Sequence, residues 1–509
     1  MGLACVLVQN QLPAATVQAV QRVIASEATH RAGIAPGSGY VSDTKAEENA
    51  WDGNVLALGA AWLSANPSAA QWLQAAKQYL VNSYTVADPA GDPLAGWVTT
   101  DTLFPSYALQ NHGFYHPTYE MVAGMSLGDS LLMARLANPS VAAQLQPFAE
   151  HNAMQVWTNN LVNMLMDSSD FAYPAGQDWE LHDYEQNSYL AWMAAHFNAP
   201  EARWADNWMS QLVLYRQGVN GDGSFVGPSG GGFYREAVEA RRTAIAWLHW
   251  ANADYPTGMA SAPATPNLAH YPDVEIIGHR SAFGFFSLSY GSRILATLEP
   301  AAVSIPTNAF LTTPRLPGMI GMGALGAPAS AQLVSYQTNA NGFDAELTLQ
   351  YGTNGSTEVF IKSTGESVGI VEVPRPAPGF KAAAAGSFAV GIENDPLCGG
   401  TRLVEWTGSA VTVTNRSGFR QNVSNNWVCV AGRYGMAAGP SGYFSYQAPT
   451  TYNRSGAAED TLQFMPADVL APRYAVWFPG KTAAETASNA SAVSWSVLGS
   501  AALLTFPGP

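Results

Sequence analysis

Residues 253–272, ADYPTGMASAPATPNLAHYP, decide the fold, because the hydrophobic period of the chain changes across them. They hold four Pro and little periodicity, and read as a linker. Before them, from residue 14 to about 252, apolar residues recur at helical spacing between short Gly/Pro/Asn breaks. The spacing predicts helices over 15–29, 50–64, 67–82, 118–136, 139–166, 185–197, 199–217 and 235–252. Asn66-Pro67 and Asn138-Pro139 each put a Pro in the first turn after a capping Asn. Many helices of similar length on short links fit a ring of helical hairpins, an (α/α) toroid; a solenoid needs a fixed-period repeat, and none is present.

Beyond the linker the period becomes two. VEIIGHRSAFGFFSLSYGS (274–292), AELTLQYG (345–352), TEVFIKS (357–363), VGIVEV (368–373), AVTVTN (410–415), NWVCVAG (426–432) and YAVWFPG (474–480) are strand-like runs set off by turn residues. The expected fold is therefore α + β and multidomain, an N-terminal toroid followed by antiparallel β-sandwich domains. The boundaries read from sequence are 1–252 for the toroid, 253–272 for the linker, 273–390 for a central β-sandwich and 391–509 for a C-terminal β-sheet domain.

Composition narrows the function. The 509 residues exceed what one core serves. Charged residues are only 12%, while 47 Gly, 15 Trp and 21 Tyr resemble a secreted carbohydrate-active protein more than a cytosolic one. A net charge of −15 argues against nucleic acid and anionic membranes as partners. It also requires a local basic patch for any polyanionic substrate. Cys398 and Cys429 lie in the strand-rich half and could pair, leaving Cys5 over. No C-x-x-C or H-E-x-x-H spacing points to a metal, and no cofactor is expected. The start of the chain is too short in apolar run for a signal peptide, so the expectation is a secreted or periplasmic protein whose signal has been removed. No run approaches a membrane span. The oligomeric state is not legible.

Five stretches carry unusual side chains. YALQNHGFYHPTYEM (107–121) sets Asn111, His112, His116 and three Tyr, Tyr115 among them, around Gly113 without a Lys or Arg. A turn there aims an amide, an imidazole and a phenol at one point, which suits a substrate that must be hydrogen-bonded and deprotonated. KAEENAWDGN (45–54) offers Glu47, Glu48, Asn49 and Trp51, the last either a sugar platform or a wedge between helices. YPAGQDWELHDYEQNSY (173–189) carries Asp178, Trp179, Glu180, His182, Tyr184 and Tyr189 ahead of an apolar helix. GDGSFVGPSGGGFYREAVEARR (221–242) lacks the phosphate-loop order, but its Tyr234, Arg241 and Arg242 can face a sugar, an Arg clamping a carboxylate bidentately. The bland alternative is helix-surface pairing, with Glu239 three residues before Arg242. Finally, Gly278-His279-Arg280 opens the sheet region, with His279 structural or at a cleft edge.

The chain resembles polysaccharide lyase family 8, the hyaluronate, chondroitin and xanthan lyases. VEIIGHRSAFGFFSLSYGSRI (274–294) is similar to that family's H-R pair before an aromatic strand and S-S-R turn. LTTPRLPGM (311–319) resembles its R-L-P-G-T-T segment, with Met319 in place of a Thr, and RYAVWFPGKTAAET (473–486) its late Y-A-Y strand. The resemblance covers about 45–490. It implies Asn49 and Trp51 in an aromatic patch, Asn111 as the carboxylate-binding Asn, His182 as catalytic His, Tyr184 or Tyr189 as catalytic Tyr, and Arg241 or Arg242 as the Arg. Tyr115, Trp179, Tyr234 and His279 join the expected substrate contacts. The His-to-Tyr offsets here, two or seven residues, are shorter than the family's. Asn111-His112-Gly113 is also similar to the N-H-G of toroid alginate lyases, which implies a catalytic His112.

The chemistry so implied is β-elimination on a uronic-acid polysaccharide, the acidic polymer being the expected partner. Asn111 with a His or Arg neutralises the carboxylate, and a Tyr moves the proton. Two other readings stay open. One is an inverting glycoside hydrolase pairing Asp178 or Glu180 with Glu47 or Glu48. The other is a non-catalytic glycan-binding protein.

Overall fold

The computed structural model describes residues 1–87, 91–167, 171–176, 186–224, 233–301, 325, 328–381, 387–394, 402–413, 419–448, 458–499 and 501–507. Its contacts divide the chain into two compact units. The first draws on Met1–Val162, Asp183–Asn207 and Val238–Ala262; the second on Asn163–His182, Trp208–Ala237 and Pro263–Pro509.

The helical elements are α1 (Gly2–Val8), α2 (Ala14–Arg31), α3 (Ala46–Trp62), α4 (Ala69–Val81), α5 (Pro117–Ala137), α6 (Pro139–Ala149), α7 (Ala153–Val156) and α8 (Val162–Met164). After these come α9 (Asn187–Phe197), α10 (Pro200–Asn220) and α11 (Phe233–Ala251). Consecutive helices pack together, α2 with α3, α3 with α4 and α5 with α6, and α5 also packs on α3 and α9, as in an (α/α) toroid. α5 is apolar nearly all round and is buried nearly all round, which makes it the axis of the packing. At Gly124 of α5 an added Cβ would lie 2.4 Å from the Tyr189 ring of α9, so the close approach of these helices needs a residue without a side chain.

Two helix starts follow their local chemistry. Asn138 accepts a hydrogen bond from the Ser140 N–H and Pro139 opens α6. α5 opens on Pro117, whose missing N–H costs nothing in a first turn. The continuous helix expected over 139–166 is broken. Asn152 takes a left-handed conformation (φ 57°) and its side-chain amide donates to Tyr84 O at 2.8 Å. The chain re-enters through α7 and a π-turn, Trp157–Leu161.

From Pro263 onward the second unit is built mainly of strands. A meander runs β3 (Asn267–Tyr271), β4 (Ile276–Ser281), β5 (Gly284–Tyr290), β6 (Ile294–Pro300), each numbered here after a two-strand hairpin described below, β1 and β2 (Gln110–Asn111 and Phe114–Tyr115). β7 (Ser330–Asn339), β8 (Gly342–Gln350), β9 (Gly355–Ser363) and β10 (Val368–Pro376) follow as consecutive hairpins. Next come β11 (Ser387–Asn394), β12 (Arg402–Trp406), β13 (Ser409–Val413), β14 (Arg420–Val423), β15 (Trp427–Val430) and β16 (Tyr434–Gly439). The last are β17 (Gly442–Gln447), β18 (Ala458–Pro466), β19 (Arg473–Pro479), β20 (Ser494–Leu498) and β21 (Ala501–Thr505), with helix α12 (Ala483–Ser491) between β19 and β20.

Nine of these strands form one antiparallel sheet in the order β13-β12-β15-β16-β19-β10-β9-β8-β7, and β11-β18-β17-β14 form another. Alternate residues of both sheets and of the meander, among them Phe286, Leu347, Ile361, Val428, Phe444 and Trp477, share one core, the arrangement of a sandwich. A second, smaller core holds Val371, Val476 and Phe478 against Ala490, Leu504 and Phe506, which come from α12 and the β20–β21 hairpin side. α12 starts on a capping box formed by Thr482 and Glu485.

The boundaries read from periodicity shift. Asn267–Tyr271 is a strand paired with β4, so the irregular connection ends before residue 267. The first part of that connection is tied down as well, Tyr255 N–H donating to Ala195 O and Ser261 N–H to Pro200 O. The nine-stranded sheet takes strands from both sides of residue 390, so no sheet ends there. Among the described residues no helix is long and apolar enough to cross a membrane.

Candidate active site

The N-H-G stretch folds as a two-residue hairpin in the first unit. β1 pairs with β2, Asn111 facing Phe114, and the turn between them is His112-Gly113. Both turn residues have positive φ, 54° and 85°, which is the signature of a type I′ turn. Gly adopts that conformation freely; for His112 it costs on the order of 1 kcal/mol. The hairpin is clamped from outside by Gly113 N–H to Ser42 O (2.7 Å) and Thr44 N–H to Gln110 O (3.0 Å), and its own arms are closed by His116 N–H to Leu109 O (3.0 Å).

The hairpin puts Asn111 and His112 on opposite terms with solvent. Asn111 is 2% exposed, and its Nδ2 donates to Glu47 Oε1 at 2.9 Å. Glu47 lies in the first turn of α3, is itself buried, and has its pKa pushed up to about 7, first by burial. Its Oε2 has no hydrogen-bond partner among the described residues. His112 is exposed. Its Nε2 lies 3.4 Å from the Tyr119 hydroxyl, one turn into α5, and its ring stands edge-on to those of His116 and Tyr119 at 5.8 and 5.2 Å. His116 stacks on Phe114 at 4.8 Å. The hairpin therefore carries a buried amide–carboxyl pair, Asn111 with Glu47, and a solvent-facing imidazole–phenol pair, His112 with Tyr119, group types able to bind an anionic group and exchange a proton.

The other residues singled out from sequence divide. Trp51 is half exposed on α3, as a platform requires. Asn49 is not a substrate contact: it is buried, and its amide joins Gly37 N–H and O to Asn82 O, stapling a loop to α3 and α4. Tyr115 is 1% exposed with its hydroxyl donating to Asn160 Oδ1 at 2.6 Å, a core role. Tyr189 is fully buried on α9 and cannot act as a base, because burial, then the nearby Glu120, raises its pKa well above 10. Arg241 and Arg242 do not clamp a carboxylate beside Asn111. Both act on the buried Asp129, Arg241 Nη2 lying 3.5 Å from Oδ2. Asp129 stands twelve residues beyond Pro117 on α5, about 18 Å along the helix axis.

In the second unit His279 is a core residue of β4. Its Nδ1 lies 2.7 Å from Ser363 Oγ, Phe283 and Phe343 flank its ring, and burial lowers its pKa to about 4. Trp179, His182 and Tyr184, with Asp178 and Glu180, lie outside the described residues, as does the side chain of Tyr234. Cys429 carries a free, buried thiol, and Cys398 lies outside the described residues. Among the described residues no cluster of His, Cys, Asp or Glu could hold a metal ion.

One member of the site, Tyr119, was missed in sequence, and another, Glu47, was singled out only as a hydrolase carboxyl. Tyr119 sat in the quoted stretch, seven residues after His112, and helical spacing from Pro117 would have put it one turn from the hairpin. Glu47 gave no local signal of its bond to Asn111, 64 residues away.

No protein-family model matches the chain, and no curated protein matches it in sequence. Among solved structures it is similar to the Paenibacillus xanthan lyase, with a TM-score of 0.51 and 9% identity over 96% of this chain and 48% of that one. The chain shares its fold with that xanthan lyase. It spans about half the length of the xanthan lyase. Similarity also extends to a heparan sulfate lyase HepC mutant from Pedobacter heparinus (TM-score 0.42, 9% identity, 94% of this chain, 68% of that one). The Streptomyces coelicolor A3 chondroitin AC lyase gives a TM-score of 0.41 at 13% identity over 88% of this chain and 62% of that one.

Proposed function

We propose that the chain cleaves a uronic-acid-containing polysaccharide by β-elimination, outside the cytoplasm. The observation that carries this reading is the hairpin, which fixes a buried Asn amide beside a solvent-facing His and a phenol. The proton at C5 of a uronate is hard to remove because its carboxylate already bears a charge. Hydrogen bonds from Asn111 and His112 to that carboxylate would stabilise the enediolate that forms, and such preorganised donors act most strongly where water is excluded. Tyr184 is the base on this reading, taken from the resemblance, with His182 assisting it; Tyr119 holds His112. The base removes the C5 proton, the C4–C5 double bond forms, the bond from C4 to the glycosidic oxygen breaks, and that oxygen leaves with a proton. A free Tyr titrates near 10, so each unit of lowering requires about 1.4 kcal/mol of preferential stabilisation of the phenolate. Trp51 and Trp179 are the proposed sugar platforms.

One observation favours a second reading. A buried carboxyl with a pKa near 7, such as Glu47, is the kind of acid an inverting glycoside hydrolase uses. A panel of uronic-acid polysaccharides, followed for the ultraviolet absorbance of a conjugated alkene and separately for reducing ends, decides. Alkene and reducing ends rising together mean elimination. Reducing ends alone mean hydrolysis and end the lyase reading; neither product, with polymer bound, leaves a glycan-binding protein.

A further inference from the structure

We propose that a cleft at the corner between α6 and α7 binds a neutral pyranose. The cleft lies wholly in the first unit and has a volume of about 570 Å³, within the usual range for small-molecule sites. Its walls come from the stretch after Thr85, from Tyr107 and from the α6–α7 corner at Glu150–Asn152.

The floor is a closed polar pair. His151 Nε2 meets Asp92 Oδ2, and Nδ1 lies 3.1 Å from Val81 O, so both ring nitrogens face acceptors. The other Asp92 oxygen accepts from Leu94 N–H at 2.7 Å. Every polar atom of this pair is engaged, and the pair is rigid wall, not ligand-binding group. The His151 side chain is only 6% exposed.

What remains open toward the cavity sets the ligand. Gln155 is exposed, and neither its amide nor the Tyr107 hydroxyl has a partner among the described residues. Glu150 uses one oxygen to accept from Gln146 and keeps the other. Leu94 and Pro147 supply apolar surface between these groups. Tyr107 is held at φ 64°, a backbone conformation rare for a Tyr.

A pyranose matches this surface. It offers C–H patches to a Tyr ring and to aliphatic carbons, and hydroxyls to a carboxyl and an amide. An anionic sugar does not match, because no Lys or Arg stands among the lining residues and both nitrogens of the His151 ring are already engaged. The site requires no catalytic group and holds whether or not the chain is a lyase.

The test uses the full chain and ligand-observed saturation-transfer NMR, backed by calorimetry. The probes are methyl glucopyranoside, methyl mannopyranoside and cellobiose, set against glucuronate and glucosamine. At least one neutral probe is expected to bind at millimolar strength, with no loss on raising salt. Tyr107→Ala and Gln155→Ala should each weaken it about tenfold. Gln155 is exposed, so its variant reports even if Tyr107→Ala fails to fold. Absence of binding by all neutral probes, equal or tighter binding of glucuronate or glucosamine, or binding indifferent to Gln155→Ala would each overturn the proposal.

Discussion

The side-chain amide of Asn111 donates to Glu47 across 2.9 Å, in a place where neither residue is more than 3% exposed. The carboxyl fixes which way the amide faces, since only the nitrogen end of Asn111 can donate to it. Replacing Asn111 by Ala removes one preorganised donor and should lower kcat by about 10²–10³, with far-UV circular dichroism unchanged. A variant of full activity would remove Asn111 from the site.

Glu47 also makes stability depend on pH. Its pKa in the fold is near 7 against 4.5 for the unfolded chain, so between those values the unfolded state loses a proton that the fold keeps. Stability is fullest below about pH 4.5 and declines until about pH 7, by on the order of 3 kcal/mol from this one group. Denaturant unfolding of Glu47→Gln should show that part of the slope gone. An unchanged slope would mean that Glu47 titrates over the same pH range in the fold as in the unfolded chain.

His279 gives the opposite slope. Buried in β4, it has a pKa near 4 against 6.5 unfolded, so it stays neutral while the unfolded chain takes a proton. Its contribution is complete above about pH 6.5 and is lost as pH falls to about 4, again on the order of 3 kcal/mol. His279→Gln should be flatter in acid than the parent while keeping kcat per folded molecule. A selective rise in KM would instead restore His279 as a substrate contact.

The two phenols that the sequence left open are told apart by mutation. Tyr189→Phe deletes a buried hydroxyl that has no hydrogen-bond partner among the described residues, and should leave activity intact with stability equal or higher by up to about 1 kcal/mol. Tyr184→Phe should cost about 10²–10⁴ in kcat. Loss of activity in the first with retention in the second would exchange the assignments.

Arg241 has a side chain 63% exposed, and its ion pair with Asp129 is long. Arg241→Ala should change stability by less than about 1 kcal/mol and leave KM for substrate unaltered. At the scale of the whole surface, a net charge of −15 should keep heparin binding weak, as a salt titration on a heparin column reads directly.

Much of the architecture was legible where one local rule governs. Apolar spacing located α2 through α6 and α9 through α11, and Asn138-Pro139 marked a true helix start. Asn66-Pro67 was nearly right: Asn66 accepts from Ser68 N–H, but α4 begins at Ala69. The N-H-G run was readable as a turn because two residues of positive φ need Gly or a tolerant polar residue. What failed depended on distant partners. Asn49 looks like a binding residue until Gly37 and Asn82 consume its amide. Tyr189 follows a polar run in sequence, yet it opens a stretch of α9 buried on every side. Period two announced the strands but carried no information on their order, which is set by pairings a hundred residues apart.

That order governs assembly of the second unit. β19 occupies the slot between β16 and β10, and its Arg473 bonds Glu372 of β10 inside the sheet, Nε to Oε2 at 2.7 Å. Until residue 479 has left the ribosome, two half-sheets therefore present raw edges. Closure must come late and all at once, so a ribosome-stalled chain ending before Arg473 should be captured by holdase chaperones and digested readily by protease.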